Sequence, residues 1–122
     1  MPKSQEVGQE GESLAVYYLQ QKGYKILEQN WRFSRAEIDI IAMDGPIMVF
    51  VEVKTRSYDY YGRPEDAVDL KKEKLIADAG AAYMRKSQHE WEIRFDIISI
   101  ILPKTGKPSI DHFTDAFFPG LA

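Results

Sequence analysis

The chain contains no cysteine among its 122 residues. A disulfide framework and a zinc site built from thiolates are therefore both excluded. Only two histidines are present, His89 and His112, which are too few for a metal centre based on imidazole ligands. A metal site in this protein would have to be built from carboxylates, which are plentiful.

Long apolar runs are also missing. No segment approaches the ~18 consecutive apolar residues that a membrane-spanning helix needs. Residues 1–10 are polar, so no signal peptide is expected at the N-terminus. We therefore expect a cytoplasmic protein with no membrane partner.

Apolar residues make up 44% of the chain and charged residues 29%, which is typical of a globular protein. The length predicts one domain over residues 1–122, with residues 1–6 as a loose terminus. A net charge of −3 argues against broad, non-specific coating of DNA. Four bases nevertheless stand beside one acid between Lys22 and Arg35. This segment is either a local basic face or ordinary solvated surface.

Hydrophobic periodicity predicts the order helix, three strands, helix, strand and a small final element. On a helical wheel, Gly8, Gly11 and Leu19 share the apolar arc of the first helix, which is therefore expected to approach a sheet closely. The predicted fold class is α/β, with a single mixed sheet flanked by helices. The predicted ranges are 7–21, 24–33, 36–43, 47–54, 70–86, 91–102 and a tail over 110–118 that forms an edge strand or an apolar flap.

The third predicted strand is an apolar run interrupted by two charges, Glu52 and Lys54. Alternate residues of a strand point to the same face, so these two side chains lie together. Burying a charge is costly unless the charge is paired or binds a metal. The pattern has two explanations: an ion pair between Glu52 and Lys54, with Asp39 bonded to nearby backbone, or a functional site.

The Asp44-Gly45 pair predicts a tight hairpin between the second and third strands. With the turn centred between these two residues, Phe50 lies opposite Asp39. Glu52 is then the diagonal neighbour of Asp39 on one face, roughly 7–8 Å away by backbone. At that separation the two carboxylates can converge on one cation.

The candidate site consists of Asp39, Glu52 and Lys54, with Glu12 supplied by the first helix. Two or three carboxylates without histidine or cysteine favour Mg²⁺ or Mn²⁺. Such an ion lowers the pKa of bound water and neutralises charge on a phosphodiester under attack. Lys54 is suited to position the water or to stabilise the developing negative charge. Together these residue types indicate phosphodiester hydrolysis.

Several short motifs along the chain carry a resemblance to a known family. They are Gly11-Glu12, Asn30-Trp31-Arg32, Glu37-Ile38-Asp39-Ile40-Ile41-Ala42, Val49-Phe50-Val51-Glu52-Val53-Lys54-Thr55-Arg56, Lys71 and Arg94-Phe95-Asp96. With these motifs, the chain resembles the YraN family of bacterial proteins from residue 7 to residue 118. That family is functionally uncharacterised and is similar to Holliday-junction resolvases and to PD-(D/E)-x-K nucleases.

The resemblance implies a restriction-endonuclease-like α-β-β-β-α-β core with the site at one edge of the sheet. It implies that Asp39 and Glu52 bind metal, that Lys54 is the lysine of Glu-x-Lys and that Glu12 is the acid of the first helix. One departure is Ala36, where the family usually has glycine, so the backbone there is less free to bulge. This change removes no catalytic group.

Three further charged residues near the motifs are predicted to have roles around the site. Arg56 falls on the same face as Glu52, where it either binds phosphate of a nucleic acid or pairs with an acid. Lys71 either contacts phosphate or is solvated surface. Glu37 is predicted to pair with Arg35 or Arg56 rather than to bind metal.

The aromatic residues outside the apolar runs are mostly assigned packing roles. Trp31 and Trp91 are predicted to pack on the core or the sheet face, and His112 is predicted to be structural. The phenylalanines of the tail are predicted to cover the core. The tyrosines of the 55–64 loop either stack on unpaired bases or pack within the loop or on a second subunit.

The main hypothesis is a Mg²⁺-dependent nuclease, or nuclease-like protein, that acts on branched or otherwise structured nucleic acid, DNA rather than RNA. A junction substrate needs two active sites, so the analogy implies a homodimer. The alternative is a non-catalytic nucleic-acid-binding or adaptor module on the same scaffold, which suits the small size and net acidity. Glycoside hydrolysis by paired carboxylates is a weaker third hypothesis, because a lysine beside the acid fits it poorly.

Overall fold

A computed structural model of the chain describes residues 4–58 and 70–116. Within this part the protein is α/β, with one five-stranded sheet in the order β1-β2-β3-β4-β5. Strands β3 and β4 are parallel, and the other neighbouring strands are antiparallel. The elements are α1 (Ser4–Gln21), β1 (Lys25–Phe33), β2 (Ala36–Asp44), β3 (Ile47–Ser57), α2 (Leu70–Ser87), β4 (Ile93–Leu102) and β5 (Ser109–Phe113).

The predicted fold class and element order are confirmed, and the final element is an edge strand rather than a flap. Helix α1 begins at Ser4, so the prediction of a loose terminus over residues 1–6 is wrong for residues 4–6. Serine is a favoured residue at helix N-termini because its hydroxyl can bond an unsatisfied backbone N–H. Neither helix of the described part is long and apolar enough to span a membrane.

The sheet carries one helix on each face. On β3, Val49 and Val51 belong to the core beneath α1, whereas Met48 and Phe50 belong to the core beneath α2. All four side chains are at most 2% exposed. A strand buried on both faces is apolar at every position rather than at alternate ones, which explains the continuous run in the sequence. Glu52, which follows these residues on the same strand, is therefore a buried charge.

Helix α1 lies directly against the far end of β3. A Cβ on Gly11 would lie 1.7 Å from Thr55 Oγ1, so only glycine fits at this contact. The predicted close approach is confirmed here, whereas a Cβ on Gly8 would meet nothing within 4 Å. Gly11 is next to Glu12 in sequence, so the contact fixes the height of Glu12 above the sheet.

The predicted hairpin register is wrong by one residue at the turn. Asp44 pairs with Ile47, so the two-residue turn consists of Gly45 and Pro46. Gly45 has φ 59°, and the proline ring fixes φ near −65°, which together suit a type II′ turn. Phe50 consequently lies opposite Ile41 rather than opposite Asp39.

The side chains of β2 depart from regular alternation. Strict alternation would place Ile38 and Ile40 on one face, but Ile38 packs beneath α2 and Ile40 beneath α1. The ladder between β2 and β3 ends at the pair of Ile40 and Val51. Beyond it, the Asp39 side chain accepts a hydrogen bond from the Val53 N–H at 2.7 Å. The alternation of side chains between the two faces of β2 therefore breaks at Asp39. There, a side-chain hydrogen bond to β3 follows the last backbone pair of the ladder.

A buried polar cluster ties β5 to the sheet. The Asp96 carboxylate is fully buried and accepts hydrogen bonds from Arg94 at 2.9 and 3.0 Å and from the Asp115 backbone N–H at 3.0 Å. His112 Nε2 lies 2.7 Å from the same carboxylate. These hydrogen bonds lower the pKa of Asp96, although its burial acts in the opposite direction. His112 is therefore structural, as predicted.

The predictions for the aromatic residues have mixed outcomes. Trp31 packs against the α2-side core, with its ring edge-on to Tyr83, as predicted. Trp91 is 68% exposed, so its predicted packing role is wrong, because β4 begins only at Ile93. Phe113 is 39% exposed and covers the core only in part. The remaining tail phenylalanines and two of the three loop tyrosines lie outside the described residues.

Candidate functional site

The two charges of the β3 motif, Glu52 and Lys54, are held in ion pairs. Glu52 is 6% exposed, and its Oε1 accepts a hydrogen bond from Lys72 Nζ at 2.5 Å. Lys54 Nζ lies 3.5 Å from the same oxygen. The predicted pairing of Glu52 with Lys54 is thus present, as is the predicted bond from Asp39 to backbone. Glu52 differs from an ordinary ion-paired residue because two lysines, from two elements, converge on it.

The two lysines differ in their protonation. Burial, followed by the proximity of Lys72, lowers the pKa of Lys54. Burial also acts to lower the pKa of Lys72, but its hydrogen bonds with Glu52 and Lys54 raise it overall. Lys72 therefore carries the positive charge of this group more firmly than Lys54 does.

Sequence reasoning named Lys71, as a phosphate contact or solvated surface, and did not single out Lys72, which contacts Glu52. Lys71 is exposed on α2, whereas Lys72 is half-buried and faces the sheet. One residue along a helix is a rotation of about 100°, so neighbours cannot share this role. Lys72 precedes the buried Ile76 and Ala79 by four and seven residues, a spacing that places it on the inward stripe. That spacing was the signal available in the sequence.

A group of three carboxylates lies beside this pair, and we refer to Glu12, Glu37 and Asp39 as the carboxylate cluster. One oxygen from each residue lies within 4.8 Å of the others. Glu12 comes from α1, and the other two come from β2. The structure therefore brings Asp39 together with Glu12, as predicted, and adds Glu37. Glu52 is not part of this group.

Glu37 has two sets of contacts. Its Oε2 accepts a hydrogen bond from Arg32 Nε at 2.9 Å, so it does pair with an arginine, although not with Arg35 or Arg56 as predicted. The difference follows from the β1–β2 ladder, in which Arg32 stands opposite Glu37. Glu37 and Asp39 are two residues apart on β2, so their side chains are expected on the same face of the strand. That spacing was the sequence signal for the place of Glu37 in the cluster.

Asn30 joins α1 to the hairpin at the cluster. In the amide orientation that gives it complementary partners, Asn30 Nδ2 lies 2.8 Å from Glu12 Oε1 and 3.2 Å from Glu37 Oε1. Its backbone has φ 53°, a left-handed conformation that asparagine tolerates better than most residues. Sequence reasoning included Asn30 only within a family motif. Its side chain holds two of the three carboxylates.

Burial and mutual repulsion set the protonation of the cluster. Burial, followed by the negative charge of Glu52, raises the pKa of Asp39 to about 8. Burial, followed in the same direction by the charge of Glu37, raises the pKa of Glu12, although the Asn30 hydrogen bond opposes this. A cation placed among these oxygens would relieve both effects.

The donor set fits a hard divalent cation. All three members of the cluster offer carboxylate oxygens, which are the ligands that Mg²⁺ and Mn²⁺ prefer. The cluster opens into a groove of about 350 Å³ whose lining also includes Lys54 and Arg56. An anionic substrate in this groove would therefore meet the carboxylates and two basic side chains together.

Comparison with known proteins identifies relatives of the whole chain. The model of the uncharacterised protein family UPF0102, which is the YraN family, matches residues 11–100. The UPF0102 protein of Christiangramia forsetii is 45% identical over 118 residues, 97% of this chain and 98% of that protein. That of Bacteroides thetaiotaomicron is 45% identical over 121 residues, 99% of each. UPF0102 protein FP2501 of Flavobacterium psychrophilum is 46% identical over 118 residues, 97% of this chain and 98% of that protein. The resemblance identified from the motifs is confirmed.

Proposed function

Because the chain belongs to the uncharacterised protein family UPF0102, its function has to be inferred from its site, and we propose a Mg²⁺- or Mn²⁺-dependent nuclease. The substrate would be a phosphodiester in branched or otherwise structured nucleic acid, DNA rather than RNA. The observation that supports this most is the convergence of Glu12, Glu37 and Asp39 within 4.8 Å beside Lys54.

Two ligand sets are available to the cation, and Asp39 belongs to both. One is the pair of Asp39 and Glu52 inferred from sequence, and the other is the carboxylate cluster of Glu12, Glu37 and Asp39. In the first set, Glu52 has to exchange its contact with Lys72 for the ion. When bound, the ion supplies a bound water of lowered pKa and neutralises phosphate charge.

The remaining basic residues act on water and phosphate in this proposal. Lys54 lines the groove, where its side chain is suited to position the attacking water or to stabilise the negative charge that develops on the phosphate. Arg56 lines the groove and is suited to bind a phosphate oxygen. Lys71, exposed on α2, contacts phosphate farther along the nucleic acid.

We also propose that two copies act together on a junction. A four-way junction is resolved by two cuts, so a homodimer with one site in each subunit suits that substrate. Sedimentation equilibrium with and without a four-way DNA junction tests this. A mass of two chains on one junction is expected, and a single chain per junction would contradict it.

Cleavage of a substrate panel tests the proposed activity. Duplex, flap and four-way-junction DNA, with RNA versions, are incubated with Mn²⁺ or with EDTA. Cleavage of branched DNA in Mn²⁺ is expected, with losses of about 10²–10⁴-fold in Lys54→Met and in Asp39→Asn. Asp111→Asn, an exposed carboxylate on β5, is the matched control and should cut normally. Cleavage that persists unchanged in the Asp39 and Lys54 variants would refute the site.

Glu37→Gln and Glu52→Gln distinguish the two ligand sets. Calorimetric titration with Mn²⁺ should show the larger loss of affinity in the variant whose carboxylate binds the ion. If both variants bind Mn²⁺ with the affinity of the wild type, neither ligand set is correct.

A non-catalytic nucleic-acid-binding module is the second candidate. It is favoured by the contacts of Glu52 with two lysines, because these compensate the buried negative charge without an ion. Salt-sensitive binding of nucleic acid combined with no heat of Mn²⁺ binding at millimolar metal would favour this candidate. Metal-dependent cleavage would exclude it.

A further inference from the structure

The β1–β2 hairpin ends in a short, exposed tip, which we define as residues 31–35. Phe33 pairs with Ala36, so only Ser34 and Arg35 form the turn. Ser34 has φ 56°, one of the positive values that two-residue hairpin turns require. Strand β1 is also an edge strand of the described sheet. The tip is therefore a tight turn at the end of an edge strand.

One face of the hairpin tip is aromatic. The Trp31 and Phe33 rings are parallel within 3°, with centroids 6.3 Å apart. Trp31 is anchored edge-on against Tyr83 at 5.1 Å, and Lys86 Nζ lies 5.9 Å from the centroid of the indole ring. Phe33, by contrast, is 40% exposed. The pair thus consists of a fixed inner ring and an outer ring available to solvent.

The other face of the hairpin tip carries positive charge next to the carboxylate cluster. Arg32 alternates with the two aromatic residues, and its side chain is 80% exposed while Nε donates to Glu37 of the cluster. Arg35 is exposed in the turn. The nearest acid along β1, Glu28, accepts a hydrogen bond from Tyr83 at 3.2 Å. An aromatic face and a face with exposed arginine side chains are therefore back to back.

We propose, on the basis of the proposed function, that the hairpin tip is a wedge that binds the branch point of a forked DNA duplex. Phe33 stacks on the base exposed where the two strands separate, because an open aromatic ring accepts any base. Arg32 and Arg35 bind phosphates of the strand that passes the carboxylate cluster. A fully paired duplex has no exposed base for Phe33, so the wedge selects branched substrates.

Substitutions at Phe33 separate stacking from packing. Phe33→Leu keeps an apolar side chain against Trp31 but has no ring, and Phe33→Tyr restores the ring. Phe113→Leu is the matched control, because Phe113 is 39% exposed and lies on β5, the other edge strand. Circular dichroism and thermal melting of each variant establish that it is folded.

The probe is forked DNA with 2-aminopurine at the first unpaired position, compared with a blunt duplex of the same sequence. Affinities are measured by fluorescence anisotropy in EDTA and in Ca²⁺. The wild type, Phe33→Tyr and Phe113→Leu should bind the fork about 10-fold more tightly than the duplex and quench 2-aminopurine. Phe33→Leu should lose the quenching and bind both DNAs about equally. Arg35→Gln should weaken binding of both DNAs and reduce the salt dependence.

Two results would overturn the wedge. One is a Phe33→Leu protein that retains both the fork preference and the quenching. The other is a wild type that binds neither DNA, which would also refute nucleic acid as the partner in the proposed function. Cleavage is scored separately in Mn²⁺. A wild type that binds forks through Phe33 but never cuts would refute the nuclease while supporting the wedge.

Discussion

Asp39 is the residue at which burial and charge conflict most strongly. Its carboxylate is largely buried, accepts the Val53 N–H and lies near Glu12 and Glu52, so its pKa is raised to about 8 from an ordinary value of 3.8. Strain of this kind is common where a protein keeps charges for a function rather than for stability. The folded chain is destabilised by the ionised form of Asp39.

Asp39→Asn should be more stable than the wild type, increasingly so as the pH rises. Between pH 4 and pH 8 the folded wild type retains a proton at Asp39 that the unfolded chain has released, so its stability falls with rising pH. An asparagine at this position still accepts the Val53 N–H and never ionises. Thermal melts in EDTA should show the advantage growing by about 4 °C or more from pH 5 to pH 8.5.

Asp111→Asn is the control for this pH series, because Asp111 is exposed on β5. Its melting temperature should follow that of the wild type at every pH. An advantage of Asp39→Asn that is the same at pH 5 and pH 8.5 would contradict the raised pKa.

Lys72→Met should destabilise the protein, whereas Lys71→Met should not. Lys72 donates to a buried carboxylate, and a hydrogen bond to a charged group contributes about 1.5–3 kcal/mol. Lys71 is exposed, where substitutions change stability by about 0.5 kcal/mol or less. The free energy of unfolding in urea measures both. Equal losses in the two variants would contradict the assignment of Lys72 to Glu52.

At the scale of elements, the site depends on how closely α1 approaches β3. Glu12 reaches the carboxylate cluster only because its neighbour Gly11 lets the helix backbone contact Thr55. Asn30, on β1, then holds Glu12 and Glu37 in place. Three elements that are separate in sequence thus share one small region, and their packing sets its geometry.

Gly11→Ala should lower stability, although alanine is the better helix former. The added Cβ would lie 1.7 Å from Thr55 Oγ1, and overpacking of this kind costs about 1–3 kcal/mol. Gly8→Ala on the same helix meets nothing within 4 Å and should stabilise the protein by about 0.5–1 kcal/mol. Urea unfolding of both variants checks the pair. A stabilising Gly11→Ala would show that α1 does not sit this close to β3.

At the scale of the whole molecule, the net charge is −3, but acidic and basic side chains are both concentrated at the candidate site. The acids converge where β2 leaves β3, and basic residues of β3, α2 and the hairpin tip surround them. The net charge therefore does not describe the charge at the site, because exposed charges are screened beyond about 8–10 Å at physiological ionic strength.

Divalent metal should stabilise the whole fold. An ion that binds only the folded state raises its stability by about 2.7 kcal/mol at one hundred times the dissociation constant. The melting temperature of the wild type should therefore rise with the logarithm of the Mn²⁺ concentration and return to its starting value in EDTA. A double variant, Glu12→Gln with Asp39→Asn, should show no such rise. The same rise in NaCl of matched ionic strength would contradict specific binding.

Sequence patterns alone predicted the order of the elements, the α/β class and the burial of the strand that carries Glu52 and Lys54. These follow from local periodicity, which reports which side of each helix or strand avoids water. The family was identified from short motifs in the sequence, and that identification is confirmed. Nuclease activity, metal and partners remain predictions.

Which charges meet depends on tertiary packing. Alternation along β2 predicts a shared face for Glu37 and Asp39, but the close approach of α1 at Gly11 is what brings Glu12 to them. The spacing along α2 likewise predicts an inward Lys72, but only the packing of α2 on the sheet identifies Glu52 as its partner. Local patterns do not identify such partners, because each contact joins residues far apart in the chain. The core that buries Val51 and Phe50 thus determines which side chains form the site.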